Sequence, residues 1–364
     1  MKEIITNITL YYIPLPIKQS YHLSFGDINY FETVIVEIEI GDIRVYGEST
    51  PLFGYSHETI SSVLEHHRKW AKQLIKKDIK AGVKILNEEI GKVPFAANAF
   101  YTALEIFRAK RESSLPYGHV KPKHSEIPMV GIISSNNFNE IQREILKQKD
   151  DGFSIIKVKV GSSLQSVSQD IEKIHYIHNL IPDMPLRVDA NKAYNFSQAI
   201  DFIKNVQDCN IEVFEQPLLV ELWNEQKKVF KIKEKVPLML DESINTIQDL
   251  EYAISNECCN YVKFKLMKHG SFEITRQMIE RALSANLQVI IGNGVQSEWA
   301  CMQEAQLIAQ MDKVNAGENN GFLKQKFSIL DEPIHFQDGN MRVTDVTLSI
   351  KALRKNSDKI YQYN

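Results

Sequence analysis

The chain has 364 residues, of which 43% are hydrophobic, so it can bury a large core and is expected to form two domains. Its formal net charge is −3, and lysines and acidic residues are interspersed along the whole length, which offers no extended basic face to nucleic acid or anionic lipid. The N-terminus has acidic and polar residues where a signal peptide has an unbroken apolar stretch, and no run approaches about 18 apolar residues. We therefore expect a cytoplasmic globular protein without nucleic-acid or membrane partners.

Residues 1–125 combine alternating strand-like runs with helical stretches, which predicts an α+β capping domain. The segment 14–30 is rich in turn-forming and aromatic residues, including Phe25, and is interpreted as a disordered connection or a mobile lid. A polar linker with Pro116 and Pro122 ends this domain. The predicted elements are strands over 4–13 and 32–40 and helices over 57–77 and 95–110.

Residues 126–325 alternate short β-branched runs with amphipathic segments of helical length. Eight such runs favour a closed (β/α)8 TIM barrel over an open doubly wound sheet, which usually has fewer strands. The predicted strands cover 127–133, 154–160, 185–189, 211–215, 237–241, 261–266, 287–292 and 313–317. The remaining segment, 326–364, contains two short strands around Asp338-Gly339 and is predicted to return to the capping domain.

Four cysteines, Cys209, Cys258, Cys259 and Cys301, include an adjacent pair and no C-x-x-C motif. This spacing suggests neither a zinc site nor a disulfide framework. We expect reduced thiols, most of them in the core.

Three acidic residues, Asp189, Glu215 and Asp241, end successive predicted strands at intervals of 26 residues. The carboxyl ends of barrel strands open onto one face, so these side chains are expected to converge there. Converging carboxylates need a cation, and an all-oxygen ligand set favours Mg²⁺, with Mn²⁺ possible, over zinc. The alternative is that each caps the helix that follows it, and the regular recurrence favours the metal site.

Two lysines, Lys157 and Lys159, lie at alternate positions of one strand and therefore point the same way, about 7 Å apart. A base at neutral pH needs a pKa of about 7 to 8, and a neighbouring ammonium, a divalent cation and partial burial all lower that of lysine. We predict that Lys159 transfers protons while Lys157 tunes it or binds a substrate carboxylate. The alternative, a solvent-facing edge strand, is disfavoured by the flanking isoleucines and valines.

A third lysine, Lys265, ends the sixth strand on the opposite side of the barrel. It is preferred over Lys263, which lies lower in the barrel, and over Lys268, which is expected in the loop. Two lysines on opposed faces of one carbon could remove and return a proton on either side, as an inversion of configuration requires.

These motifs together resemble the enolase superfamily, in its muconate-lactonizing-enzyme subgroup, over nearly the whole chain. The matching stretches are Lys157-Val158-Lys159, Asp189-Ala190-Asn191, Glu215-Gln216-Pro217, Asp241-Glu242-Ser243, Lys265-Leu266-Met267-Lys268 and, in the capping domain, Gly47-Glu48-Ser49. The resemblance implies Mg²⁺ held by Asp189, Glu215 and Asp241, with Asn191 in support. It also implies that Lys159 or Lys265 removes the proton next to the substrate carboxylate and that the metal stabilises the enediolate.

Specificity is expected from the segment 20–30 and from the seventh and eighth strand ends. Dipeptide epimerases of the subgroup typically carry an Asp-x-Asp pair at the eighth strand end that holds the substrate ammonium, and Glu318-Asn319-Asn320 stands here instead. Glu318 with Asn320 could still receive an ammonium group. Gln296 stands where the subgroup often has a glutamate. The predicted substrate-binding or supporting residues are Asn191, Glu242, Gln296, Glu318, Asn320 and Phe25.

The leading hypothesis is a Mg²⁺-dependent racemase or epimerase acting next to the carboxylate of a small amino-acid derivative such as a dipeptide or an N-acylamino acid. The alternatives are a cycloisomerase of the muconate type, a lyase of the o-succinylbenzoate synthase type, and a non-catalytic binding protein that kept the fold. A homo-oligomer is expected.

Overall fold

The computed structural model describes residues 3–23, 26–52, 55–114, 122–232 and 235–364. Phe25 and most of the predicted linker lie outside the described residues. The strands are β1 Ile5–Leu23, β2 Gly26–Ile40, β3 Ile43–Ser49, β4 Glu126–Pro128, β5 Gly131–Ile133, β6 Ile156–Lys159, β7 Leu186–Asp189, β8 Ile211–Glu215, β9 Leu238–Leu240, β10 Tyr261–Phe264, β11 Gln288–Ile291, β12 Phe336–Gln337, β13 Asn340–Arg342 and β14 Lys359–Tyr363. The helices are α1 Ile60–Leu74, α2 Ile79–Asn87, α3 Pro94–Arg111, α4 Phe138–Asp150, α5 Val167–Leu180, α6 Phe196–Val206, α7 Trp223–Ile232, α8 Ile247–Ser255, α9 Leu266–His269, α10 Phe272–Ser284, α11 Glu298–Ile308, α12 Gly321–Lys324 and α13 Ile350–Asn356.

The N-terminal sheet is antiparallel with the order β14-β1-β2-β3. The prediction of a disordered connection over 14–30 is wrong for its described part, because β1 and β2 remain paired through Pro14 and Pro16. Proline is tolerated at a sheet edge, where its missing N–H breaks no ladder, and β14 pairs with β1 only over residues 8–12. The third strand of this sheet, β3, was not predicted.

Helix α3 is buried along almost its whole length and packs against β3. Its small side chains allow this close approach, and Gly47 of β3 shows how close it is. A Cβ atom at Gly47 would lie 1.8 Å from the carbonyl oxygen of Ala99. The helix and the strand therefore touch backbone to backbone at this point.

The second sheet is parallel and has seven strands in the order β11-β10-β9-β8-β7-β6-β5, so strands that follow each other along the chain are neighbours in space. Helices follow the strands, and several begin at the polar residues expected of helix caps, namely Ser166, Asn195 and Thr246. Seven of the eight predicted strands are thereby found. Because neighbouring parallel strands end on the same side, their C-terminal residues gather at one edge.

The predicted eighth strand, 313–317, is wrong as a regular strand. The structure has a single parallel bridge there, between Met129 and Gly317. Even so, the N–H of Val130 donates to the carbonyl of Gly317 at 3.0 Å, and the N–H of Glu318 donates to the carbonyl of Ile291 at 3.1 Å. This irregular segment therefore bonds both to the chain next to β5 and to β11, at the two edges of the seven-stranded sheet.

The C-terminal hairpin also differs from the prediction. Strands β12 and β13 pair with β4 and not with the N-terminal sheet. Their turn uses Asp338 and Gly339, both with positive φ, as a two-residue hairpin turn requires. The strand that does reach the N-terminal sheet is β14, which pairs with β1.

The four cysteines are free and buried, as predicted. Among the described residues, the helices are too short or too polar to cross a membrane.

Candidate active site

The predicted lysines and carboxylates lie in register at one edge of the parallel sheet. Lys159 of β6 pairs with Asp189 of β7, which in turn pairs with Glu215 of β8. Asp241 directly follows β9, and Lys265 directly follows β10. The strand ends thus bring together side chains that are up to 108 residues apart in sequence, counted from Lys157 to Lys265.

Two buried ammonium groups link the carboxylates to each other. The Nζ atom of Lys157 lies 2.7 Å from Asp189 Oδ2, 2.6 Å from Glu215 Oε2 and 2.8 Å from Glu318 Oε2. The Nζ atom of Lys263 lies 3.0 Å from Glu215 Oε1 and 4.0 Å from Asp241 Oδ2, and it also contacts Glu318. Because each ammonium touches two or more carboxylates, the three acidic residues converge as the sequence predicts.

Lys159 and Lys265 approach this group from strands that are four positions apart. Lys159 Nζ donates to Asp189 Oδ2 at 2.7 Å and to Asn191 Oδ1 at 2.8 Å. Lys265 Nζ donates to Asp241 Oδ2 at 2.6 Å and lies 3.9 Å from the ring centre of Tyr55. The Oη atom of Tyr55 donates to the other oxygen of Asp241 at 2.7 Å. Both lysines are therefore held by carboxylates at one small space.

That space is a cavity of about 50 Å³, which we call the lysine cavity. It is far smaller than the roughly 300–1,000 Å³ of typical ligand pockets, because the charged side chains around it contact one another directly. A larger cavity of about 910 Å³ adjoins it at Tyr55 and passes Glu242 and Lys268. The charged and amide side chains that line the lysine cavity are Lys157, Lys159, Asp189, Asn191, Asp241, Lys263, Lys265, Asn293, Glu318 and Asn320.

Burial and ion pairing act against each other on the acidic groups. Burial raises the pKa of Asp189, but the ammoniums of Lys157 and Lys159 outweigh it and hold that pKa well below its usual range. Burial also raises the pKa of Asp241, but the ammoniums of Lys265 and Lys268 outweigh it and hold that pKa well below its usual range. Burial and the charge of Asp189 raise the pKa of Glu215 to about 7. Asp189 and Asp241 are thus anionic at neutral pH.

Lys268 and its neighbours were placed less well by the sequence. The expectation that Lys268 lies in a loop is wrong, since it is buried in the short helix α9. Its Nζ atom donates to the carbonyl oxygen of Asp241 at 2.6 Å and to Oδ1 at 3.3 Å. Burial lowers the pKa of Lys268 to about 8, although Asp241 opposes the shift.

The supporting residues divide into two groups. Asn191, in the left-handed region with φ 42°, donates through Nδ2 to Glu242 Oε1 at 3.2 Å, and Asn320 lines the lysine cavity. Gln296 lies elsewhere, because its Nε2 donates to Glu304 Oε2 at 2.6 Å and its side chain does not line the cavity. Phe25 lies outside the described residues.

Three residues that were not chosen as site residues contribute to the site, although Lys263 was weighed against Lys265. Arg187 donates through Nη1 to Glu318 Oε1 at 2.9 Å, and Lys263 and Tyr55 make the contacts given above. Arg187 and Lys263 each lie two residues before a predicted site residue, so the alternation of a strand could have found both. Tyr55 lies outside any helix or strand, so the alternation of a strand could not have placed it at the site.

Glu48 ties the capping strand β3 to this edge of the sheet. Its Oε1 accepts from the N–H of Ser297 at 2.9 Å, and its Oε2 accepts from the Ser297 hydroxyl. Ser297 begins helix α11, so the buried glutamate fixes the start of that helix against the N-terminal sheet.

The donor set fits a hard divalent cation. Asp189, Glu215 and Asp241 are buried and converge, and they offer only oxygen atoms, the ligands that Mg²⁺ and Mn²⁺ prefer. In the described part of the chain, no three His, Cys, Asp or Glu side chains are arranged as a ready metal site. The carboxylate oxygens are turned toward lysine ammoniums, which are the positive charges that balance them in this arrangement.

Residues 140–347 match the model of the enolase C-terminal domain-like family. The chain belongs to this family. The resemblance to the enolase superfamily that the motifs indicated is thereby confirmed. Relatives of the chain include an epimerase, a racemase and an o-succinylbenzoate synthase, in agreement with the predicted class of isomerases.

Two curated relatives match about four fifths of the chain. The D-Ala-D/L-Ala epimerase of Cytophaga hutchinsonii is 27% identical over 300 residues, which are 81% of this chain and 80% of the relative. The N-succinyl-L-Arg/Lys racemase of Bacillus cereus is 26% identical over 306 residues, 81% of each chain.

Solved structures share the fold over nearly the whole length. The dipeptide epimerase of Cytophaga hutchinsonii, complexed with Mg and D-Ala-L-Val, superimposes with a TM-score of 0.91 at 24% identity and covers 99% of this chain and 100% of its own. A muconate lactonizing enzyme of Pseudomonas fluorescens, complexed with muconolactone, gives 0.90 at 21% identity and covers 98% and 100%.

Proposed function

We propose that this protein abstracts the proton next to the carboxylate of an amino-acid derivative and returns it on the opposite face, so that a dipeptide or an N-acylamino acid is epimerised or racemised. The observation that carries the proposal is the placement of Lys159 and Lys265, which reach one carboxylate-lined cavity from opposite strands. The names of the curated relatives support the same class of reaction.

The two lysines act in turn as base and as acid on opposite faces of the substrate. In one direction neutral Lys159 removes the α-proton while the Lys265 ammonium supplies a proton to the other face, and in the reverse direction the roles change. Each lysine already lies within hydrogen-bond distance of an aspartate, which fixes its Nζ atom in the cavity. The aspartate at Lys265 is Asp241, and the Tyr55 hydroxyl donates to its other carboxylate oxygen.

We further propose that Asp189, Glu215 and Asp241 hold Mg²⁺, with Mn²⁺ as a substitute and Asn191 in support. The bound cation would neutralise the negative charge that develops on the substrate carboxylate as the α-proton leaves. Lys157 contributes a second positive charge to the same carboxylate. Removing a carbon acid proton at neutral pH requires such charge stabilisation beside the base.

The remaining proposals concern the chain as a whole. We propose that the segment 313–318 closes the parallel sheet into a barrel, which the hydrogen bonds to Val130 and Ile291 support. The division into a capping domain 1–125, a barrel 126–325 and a returning segment 326–364 is likewise a proposal. So are the cytoplasmic location and the homo-oligomeric state.

The test is NMR-detected exchange of the α-proton in D₂O with Mg²⁺, over dipeptides, N-acylamino acids and succinylbenzoate precursors. We expect exchange with loss of optical purity for an amino-acid derivative. Turnover of a lyase or cycloisomerase substrate alone would instead favour those alternatives, to which an o-succinylbenzoate synthase of Listeria innocua, 24% identical over 95% of this chain, gives some support. Absence of both exchange and Mg²⁺ binding would indicate a binding protein.

A further inference from the structure

Glu318 is the carboxylate at the irregular eighth position, and three fixed cations already surround it. Its Oε1 accepts from Arg187 Nη1 at 2.9 Å, and its Oε2 accepts from Lys157 Nζ at 2.8 Å and also from Lys263 Nζ. The residue is 5% exposed. Both of its oxygens are therefore engaged by side chains that the β-strands hold in place.

The charges around the lysine cavity leave no surplus of negative charge. The cationic side chains at or next to the cavity are Lys157, Lys159, Arg187, Lys263, Lys265 and Lys268. The carboxylates are Asp189, Glu215, Asp241, Glu242, Glu318 and Glu212, which pairs with Arg187 at 3.0 Å, so the six carboxylates match the six cations. A divalent cation on the first three of these would leave Lys157 and Lys263 with Glu318 as their shared anionic partner.

Glu242 is the other carboxylate to consider as a partner for a substrate ammonium. Its Oε1 accepts from Asn191, and its buried Oε2 has no hydrogen-bond partner among the described residues. However, Glu242 lines the larger neighbouring cavity and not the lysine cavity. Within the described residues, the lysine cavity thus presents no carboxylate that lacks a cationic partner.

We infer that the substrate carries no free amino group near the reacting carbon, so that it is an N-acylamino acid and not a dipeptide, and that Lys263 is the positioning residue that sets this preference by neutralising Glu318. The inference rests on the proposed function and narrows its substrate class. An ammonium brought to Glu318 would meet Lys157, Lys263 and Arg187, and like charges at this distance in a buried site repel strongly. An amide nitrogen brings no charge.

A matched pair of compounds tests the inference with the intact, Mg²⁺-loaded enzyme. Ala-Phe and N-acetyl-Ala-Phe share the reacting phenylalanine carbon and differ in the free amino group. We expect kcat/KM for α-proton exchange to be at least about 10-fold higher for the acetylated compound. Calorimetric binding of the two compounds should show the same order without requiring turnover.

Two variants separate a neutralised Glu318 from one that binds substrate. Glu318→Gln should leave the preference for the acetylated compound unchanged, because a glutamate whose two oxygens are engaged by three cations does not contact the substrate. Lys263→Met should bring the ratio of the two kcat/KM values closer to one. Lys227→Met, which changes a partly buried lysine on the outer helix α7 that bonds Asn256, should leave the ratio at the wild-type value.

The outcomes distinguish the inference from the proposed function. If wild-type enzyme exchanges Ala-Phe as fast as the acetylated compound, and Glu318→Gln selectively abolishes the dipeptide reaction, Glu318 receives an ammonium and the inference is wrong while the proposed function stands. If no compound of either kind exchanges its α-proton, the proposed function fails and takes the inference with it.

Discussion

Lys159 and Lys265 serve the same cavity but have different surroundings. The side chain of Lys159 is 19% exposed and bonds Asp189 and Asn191, whereas that of Lys265 is 8% exposed and lies under the ring of Tyr55. The two faces of a substrate would therefore meet bases that differ in exposure and in contact partners. This asymmetry makes the individual contribution of Tyr55 measurable.

Tyr55→Phe removes the hydrogen bond to Asp241 and keeps the ring over Lys265. We expect α-proton exchange to fall about 10-fold for the enantiomer whose proton Lys265 removes, because a hydrogen bond to a charged group contributes roughly 1.5–3 kcal/mol. Exchange of the opposite enantiomer should fall less. NMR exchange rates of the separate enantiomers give the comparison, and Tyr252→Phe, an exposed tyrosine on α8, is the control. An equal loss on both faces would contradict this role.

His67 is a buried histidine in the N-terminal half, and it gives the stability a predictable pH dependence. Burial lowers its pKa to about 3 from an unfolded value near 6.5, although its contact with the carbonyl of Ala96 opposes this. The unfolded chain therefore binds a proton below pH 6.5 that the folded chain does not, so stability is present above this pH and is lost as pH falls.

From this difference we expect His67 to account for about 2 kcal/mol of the stability lost between pH 7 and pH 5. Urea unfolding at pH 7 and at pH 5 measures this loss. In His67→Gln the loss of unfolding free energy between the two pH values should be smaller by this amount. Lys72→Gln, an exposed change on the same helix α1, should lose as much unfolding free energy between pH 7 and pH 5 as the wild-type protein does. If the His67 variant lost as much unfolding free energy as the wild-type protein, titratable groups other than His67 would cause the pH dependence.

At the scale of elements, the strand ends were predictable because a repeating strand and helix unit puts them on one face. Lys159, Asp189 and Glu215 lie side by side in register for this reason. Lys268 was not predictable in the same way, since it reaches Asp241 only because the chain turns into the short helix α9 directly after β10. Local propensity does not encode which side chain of a short helix contacts a neighbouring strand end.

The contact between β3 and α3 gives a prediction at the same scale. Gly47→Ala places a Cβ atom against the carbonyl of Ala99, and backbone on both sides prevents either from yielding. We expect a loss of about 3 kcal/mol in the free energy of unfolding, at the upper end of overpacking costs. Chemical denaturation measures it, with Gly91→Ala as the matched control because a Cβ there meets nothing within 4 Å. Equal stability of the two variants would refute this view of the packing.

At the scale of the whole molecule, the sequence predicted that the segment 326–364 returns to the N-terminal half, but not which residues make the connections. The contact of Glu48 with Ser297 and the pairing of β14 with β1 both join residues more than 200 positions apart. Neither leaves a periodic signal in the sequence. The eighth strand was overpredicted for a related reason, since an apolar run predicts a strand but not whether its hydrogen bonds form a regular ladder.

Metal binding also belongs to this scale, because its three proposed ligands come from three strands. We expect one Mg²⁺ per chain by calorimetry, and Asp189→Asn, Glu215→Gln and Asp241→Asn should each weaken it by more than about 10-fold. Glu298→Gln is the control, since Glu298 is a buried glutamate that accepts from Ser328 and from the N–H of Leu330. Unchanged Mg²⁺ affinity in all three ligand variants would exclude this site.

The most direct test of the central claim measures α-proton exchange in D₂O from each pure enantiomer with Lys159→Arg and with Lys265→Arg. Arginine keeps the positive charge but does not act as a base at neutral pH. We predict that each variant loses inversion, while each still exchanges the proton of one enantiomer, and that the two variants retain opposite enantiomers. If either variant still inverts configuration, or if both retain exchange of the same enantiomer, the two lysines do not act on opposite faces of the substrate.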